Sequence, residues 1–151
     1  MWPKTVCKVV IIDGQGGRIG RELVEAVDKN EDRVEVIAIG TNRTATANML
    51  KGGAHQAATG ENAVLVACRT ADIIAGPIGM LAADALLGEI TPAMAAAVGQ
   101  STARKILLPV NRCEMVVAGV AEKNTGKLIA HAVKLIEEAV AAYFDLAGAC
   151  R

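Results

Sequence analysis

Residues 6–20 read Val6-Cys7-Lys8-Val9-Val10-Ile11-Ile12-Asp13-Gly14-Gln15-Gly16-Gly17-Arg18-Ile19-Gly20. Val6 to Asp13 is short, β-branched and nearly continuously apolar, the pattern of a strand buried on both faces. Gly14 to Gly17 makes a turn. Arg18 to Lys29 follows as a helix, with Ile19, Leu23, Ala26 and Val27 on one stripe. A glycine-rich link between a buried strand and a helix has three physical uses. The chain reverses tightly, sometimes at positive φ; an anion approaches the backbone without meeting a Cβ; and the helix lies close on the strand. The helix start then offers unpaired N–H groups and the positive end of its dipole to that anion.

Working outward, the alternation continues. Val34 to Ile39 is a second strand closed by Gly40, and the polar turn Thr41-Asn42-Arg43-Thr44 caps a helix to about Lys51, ended by Gly52-Gly53. Ala54 to Ala58 is a short third strand and Glu61 to Arg69 is a helix by its spacing, with a strand over Ala63-Val64-Leu65-Val66-Ala67 as the alternative. Asp72 to Ala75 is a fourth strand stopped by Gly76-Pro77, and Met80 to Leu87 is a helix. Thr91-Pro92 is an N-cap with proline at the first helical position, opening a helix to about Val98. Lys105 to Val110 and Met115 to Val120 are fifth and sixth strands, and Thr125 to Ala147 is a long final helix. Strands and helices alternating through short loops predict a parallel sheet with helices on both faces. The expected fold is one doubly wound, three-layer α/β/α Rossmann-like domain over residues 1–151, with a mostly parallel six-stranded sheet. A five-stranded flavodoxin-like sheet is the alternative.

Composition narrows the function classes. The 151 residues carry 16 basic and 16 acidic side chains, which gives no reason to expect nucleic-acid or anionic-membrane binding. At 52% hydrophobic and 21% charged the chain is not disordered. Aromatics are 2%, namely Trp2, Tyr143 and Phe144, so the interior is built from Ala, Val, Ile and Leu. No secretory signal or membrane-spanning run is visible, since Leu128 to Ala147 is broken by His131, Lys134, Glu137, Glu138 and Asp145. Cys7, Cys68, Cys113 and Cys150 show no zinc-knuckle or thioredoxin-like spacing, so free thiols in a cytoplasmic protein and no metal site are expected.

The glycine spacing, Gly14, Gly17 and Gly20 with Gly16 additional, resembles that of the extended short-chain dehydrogenases and of the dihydrodipicolinate-reductase type of NAD(P) domain. The expected cofactor contacts are therefore Gly14, Gln15, Gly16, Gly17, Arg18 and Ile19. NAD-binding domains place an acid at the end of the second strand to bond the ribose hydroxyls. No Asp or Glu stands from Val36 through Leu50. Thr41, Asn42, Arg43 and Thr44 stand there instead, a stretch similar to that of several NADP-dependent reductases, and an arginine among hydroxyls suits a 2′-phosphate. NADP(H) is the expected cofactor on this ground. Gly76, Pro77 and Ile78 form a turn of little bulk on the same sheet edge, suited to a nicotinamide or ribose.

Catalytic residues are not identified. Cys113 beside Arg112, Glu89 ahead of a helix start, and His55 after a double glycine are the candidates for thiol or acid–base chemistry, each with an ordinary structural role to set against it. The Tyr-x-x-x-Lys pair of short-chain dehydrogenases is absent, because Tyr143 has no lysine four residues later.

Several phrases taken together resemble a small, uncharacterised bacterial family catalogued as domain of unknown function 3842: Asp-Gly-Gln-Gly-Gly, Gly40-Thr41-Asn42, Ala58-Thr59-Gly60-Glu61-Asn62, Gly76-Pro77-Ile78-Gly79, Gly88-Glu89-Ile90-Thr91-Pro92-Ala93-Met94 and Pro109-Val110-Asn111-Arg112-Cys113. The resemblance spans most of residues 6 to 140 and implies no activity. Three functions are expected in turn. The first is an NADP(H)-binding Rossmann protein, as a cofactor-state sensor, a regulatory subunit or a minimal reductase. The second is a non-redox nucleotide module for coenzyme A or an adenine nucleotide. The third is a scaffold with a vestigial site. A homodimer is expected from two apolar rows on the final helix. These are Leu128, Ala132, Leu135, Ala139 and Tyr143, and Ile129, Val133, Ile136, Val140 and Phe144.

Overall fold

The computed structural model describes residues 6–27, 32–110 and 115–149. In chain order the elements are β1 (Cys7–Asp13), α1 (Arg18–Ala26), β2 (Val34–Gly40), α2 (Arg43–Lys51), β3 (Gln56–Thr59) and α3 (Glu61–Thr70). They continue with β4 (Ile73–Pro77), a 3-10 turn (Ile78–Leu81), α4 (Pro92–Gln100), β5 (Arg104–Leu108) and α5 (Thr125–Ala149). The strands described form one all-parallel sheet in the order β3-β2-β1-β4-β5. Five strands is the number of the flavodoxin-like alternative. Their order is that of the first five strands of a doubly wound dinucleotide-binding sheet, with the switch point between β1 and β4.

The period-2 alternation of each strand sorts its side chains between two cores. Val9 and Ile11 of β1, Val36 and Ala38 of β2 and Ile73 of β4 face a core with Leu23 and Val24 of α1, Met49 of α2 and Ile129, Ala132 and Ile136 of α5. Val10 and Ile12, Ile39 and Ile74 face the opposite core with Val64 and Cys68 of α3 and Met94 and Val98 of α4. Cys7 and Cys68 are buried, and burial pushes the Cys68 thiol up, against the weaker opposing pull of Lys105. At the far end of α5, Tyr143 donates to the Val6 carbonyl at 3.3 Å, and Phe144 stacks under Arg33, 4.1 Å from its ring centre.

Three expectations are corrected. The sixth strand does not form at Met115–Val120, which is irregular chain and turn. Val116 and Val120 are exposed and Gly119 is at φ 84°, so this valine-rich run has no neighbour to pair with and no face to bury. Met80–Leu87 is not an α-helix. After the 3-10 turn, Asp84, Leu86 and Leu87 adopt left-handed φ of 65°, 56° and 57°, and Gly88 follows at 89°. The chain doubles back there so that Ile90 is buried and exchanges hydrogen bonds with Asp84 and Ala85. The two rows on α5 are one broad stripe, since each residue of the first precedes one of the second by a single position. All but Leu135 pack into the core of their own sheet face.

Candidate functional site

The carboxyl ends of β1 and β4 part at the switch point, and the crevice there holds a cavity of about 160 Å³ lined by residues 13–19, Pro77, Gly79, Leu86, Val110 and Thr125. The glycine turn forms its floor. Asp13, buried at the end of β1, accepts hydrogen bonds from the Gly14 N–H at 2.8 Å and the Gly20 N–H at 2.7 Å, clamping the turn to the first turn of α1. Gly20 leaves no room for a Cβ between Asp13 and Met49, which is the close helix-on-strand packing expected of it. Gly17 is left-handed at φ 69° and its Cβ would lie 2.6 Å from the Ala45 Cα. Gly16 faces open space.

At the start of α1, the Gly17 N–H bonds the Gly14 carbonyl, the Gly20 N–H bonds Asp13, and the Arg21 N–H bonds the Gly17 carbonyl. The N–H groups of Arg18 and Ile19 have no partner among the described residues. The N-cap residue, Gly17, has no side chain to cap this end, and of the first-turn N–H groups Asp13 takes that of Gly20. Both residues line the cavity. Two unsatisfied donors at the positive end of a helix are the elements of an anion site.

Beside the turn stands a carboxylate that a local reading of the sequence could not place. Glu89 Oε2 accepts from the Gln15 N–H at 2.7 Å, from Thr41 Oγ1 at 2.5 Å and from Asn42 Nδ2 at 3.0 Å. Partial burial works to raise this carboxyl, but the three hydrogen bonds outweigh it and hold Glu89 below the ordinary glutamate value. A Cβ on Gly14 would sit 2.7 Å from Glu89 Oε2, from Leu86 Cδ1 and from Thr41 Oγ1, so the 82–90 strap lies directly over the turn. Asn42 also caps α2 through the Ala45 N–H and donates to the Gln15 carbonyl at 2.9 Å, and Asn48 donates to the Gly16 carbonyl at 3.0 Å. The glycine turn, the end of β2 and the strap thus form one hydrogen-bonded unit.

A family model described as domain of unknown function (DUF3842) matches residues 8–141. The chain belongs to that family. No curated protein and no solved structure matches it.

Within this DUF3842 chain, the fold brings most of the sequence-derived cofactor residues to one edge. Gly14 to Ile19 line the cavity. Thr41 and Asn42 adjoin it through Glu89, and Arg43 and Thr44 are exposed on the first turn of α2. Pro77 lines the cavity, and Gly79 does so in place of Gly76 and Ile78. A Cβ on Gly76 would strike the Ile12 carbonyl, so that glycine serves the approach of β4 to β1. His55 lies apart. It is exposed just ahead of β3, its Nδ1 accepts from the Val36 N–H at 2.9 Å, and it is about 13 Å along the strand from Thr59 at the carboxyl edge. Cys113 and Arg112 lie outside the described residues. Among the described residues no helix is long and apolar enough to cross a membrane, and no group of three His, Cys, Asp or Glu side chains is placed to hold a metal.

Proposed function

We propose that this domain binds an adenine dinucleotide of the nicotinamide type, with its pyrophosphate at the start of α1, and acts as a cofactor-state sensor or regulatory subunit. The observation that supports this reading is the pair of N–H groups, of Arg18 and Ile19, that have no partner among the described residues, on residues that line a glycine-floored cavity at the switch point. A phosphate fits this donor set. The cavity is smaller than the roughly 300–1,000 Å³ typical of pockets that enclose a whole ligand, so the two nucleoside halves extend along the open sheet edge. One half runs toward Thr41 and Asn42, the other toward Gly79 and Val110. A regulatory role is favoured over catalysis because Glu89 is engaged in three hydrogen bonds and His55 is remote from the crevice.

A second reading keeps the phosphorylated cofactor NADP(H), and the exposed Arg43 and Thr44 beside Asn42 favour it. Coenzyme A and adenine nucleotides share the pyrophosphate chemistry and form the competing class. Thermal melting with NADH, NADPH, coenzyme A, ATP and flavin separates them. A ligand at a hundred times its Kd adds about 2.7 kcal/mol to stability, several degrees for a chain of this size. Stabilisation by a nicotinamide dinucleotide is the expected result. Stabilisation by coenzyme A or ATP alone, or by none of the five, overturns the reading.

A further inference from the structure

We propose that Glu89 reads the adenosine ribose, selecting a dinucleotide with free 2′- and 3′-hydroxyls over one that carries a 2′-phosphate. The proposal rests on the dinucleotide reading above and decides between its two cofactors.

A ribose reader has to stand at the carboxyl end of β2, beside the glycine turn. The chain from Val36 to Leu50 contains no acid, so the carboxyl end of β2 and the start of α2 supply none, and Glu35 stands at the opposite end of β2. The fold supplies one from the far side of the switch point. Glu89 Oε2 lies within hydrogen-bond distance of Thr41 and Asn42, the first two residues after β2, and of the Gln15 N–H within the glycine turn.

The hydrogen-bond count separates the two oxygens. Oε2 takes all three donors, while Oε1 receives no hydrogen bond from the described residues. One oxygen is anchored and the other keeps its lone pairs, which is the arrangement of a positioned acceptor. Two ribose hydroxyls can donate to such a carboxylate. A 2′-phosphate has no proton to give it near neutral pH and places about two negative charges against it. The same three donors hold the carboxyl in its charged form, so protonation does not relieve the repulsion. Arg43 pulls the other way but is exposed on the first turn of α2, with no side-chain hydrogen bond or ion pair among the described residues to fix it. An anchored charge outweighs one that must first be ordered.

The test is calorimetric titration of the full chain and of Glu89→Gln with NADH and NADPH. Wild type is expected to bind NADH more tightly. Glu89→Gln should lower the NADH-to-NADPH affinity ratio at least tenfold, with NADPH affinity rising. Equal losses for both cofactors would mean that Glu89 only anchors the strap; the proposal then falls while the dinucleotide reading stands. Tighter binding of NADPH by wild type also overturns it. Binding of neither cofactor by wild type removes both. Should Glu89→Gln not fold, wild type titrated with NADH and with its 2′-deoxy analogue still decides. At least tenfold weaker binding of the analogue is expected, and equal binding refutes the proposal.

Discussion

Gly16 and Gly17 are neighbours in sequence, yet their backbones face different constraints. Gly17 is at φ 69° with the Ala45 backbone where its Cβ would stand. Valine there meets a forbidden φ and a backbone clash together, and Gly17→Val should cost about 3 kcal/mol or more in a urea melt. It therefore tests folding, not ligand approach. Gly16 meets nothing within 4 Å and lines the cavity. Gly16→Val should keep stability within about 1 kcal/mol of wild type and weaken dinucleotide binding at least tenfold. Unchanged binding by the folded variant would remove the pyrophosphate from this turn. Glu89 adds a pH dependence. Its folded value is lowered, so its contribution to holding the strap is complete above the ordinary glutamate value and is lost as pH falls through the lowered one. Asp13 is the other carboxylate at the turn, bonded to Gly14 and Gly20. Exchange of the Gln15 amide, corrected for intrinsic rate, should accelerate only below about pH 4; acceleration between pH 5 and 8 would contradict the assignment. The glycine turn was legible because strand, glycines and helix adjoin in sequence. Glu89 was not, because its partners are 47 to 74 positions away.

The strap between β4 and α4 is the element that sequence periodicity misread. Met80 to Leu87 has helical spacing, but the backbone turns left-handed at Asp84, Leu86 and Leu87. Tertiary contacts explain the difference. Leu86 packs over Gly14, Ile90 is buried, and Glu89 reaches across to Thr41, which a continuous helix would not allow. Left-handed φ costs an L-residue about 1–2 kcal/mol, and glycine avoids that cost at the expense of a more flexible unfolded chain. Leu87 is fully exposed, so its side chain contributes no burial. Leu87→Gly should raise stability by about 0.5–1 kcal/mol, measured by urea unfolding, and a loss of that size would show that the turn is not strained there. The Thr91 cap was read as such, and the cap of α2 was placed within the turn Thr41 to Thr44, where Asn42 provides it, because capping is a local exchange between one side chain and an N–H three residues on. Met115–Val120 failed as a strand because a ladder needs a neighbour, which β-propensity does not register.

At the scale of the whole molecule, the long final helix decides what surface remains for a partner. Its two apolar rows merge into one stripe that seats on β4, β5 and α1, and the large apolar side chains that stay exposed on it are Leu135, at 36%, and Leu146, at 71%. Both lie on a groove of about 500 Å³ between α5 and β5, which no further strand pairs among the described residues. An open parallel edge beside apolar side chains invites a second copy, and a two-fold axis is the simplest closed arrangement. We therefore expect a homodimer through this flank. Leu146 stands 21 residues beyond Thr125, about 31 Å along the helix from the cavity that Thr125 lines. Such a contact does not bring a neighbour's side chains to the crevice by way of Leu146, which agrees with a site that binds a cofactor without enclosing a substrate. Leu146→Glu places a charge on the flank and leaves the switch point untouched. Light scattering at micromolar concentration should give twice the chain mass for wild type and the single mass for the variant, with dinucleotide affinity unchanged between them. A monomeric wild type would remove the dimer, and a loss of affinity in the variant would mean that assembly and ligand binding are coupled across the length of α5.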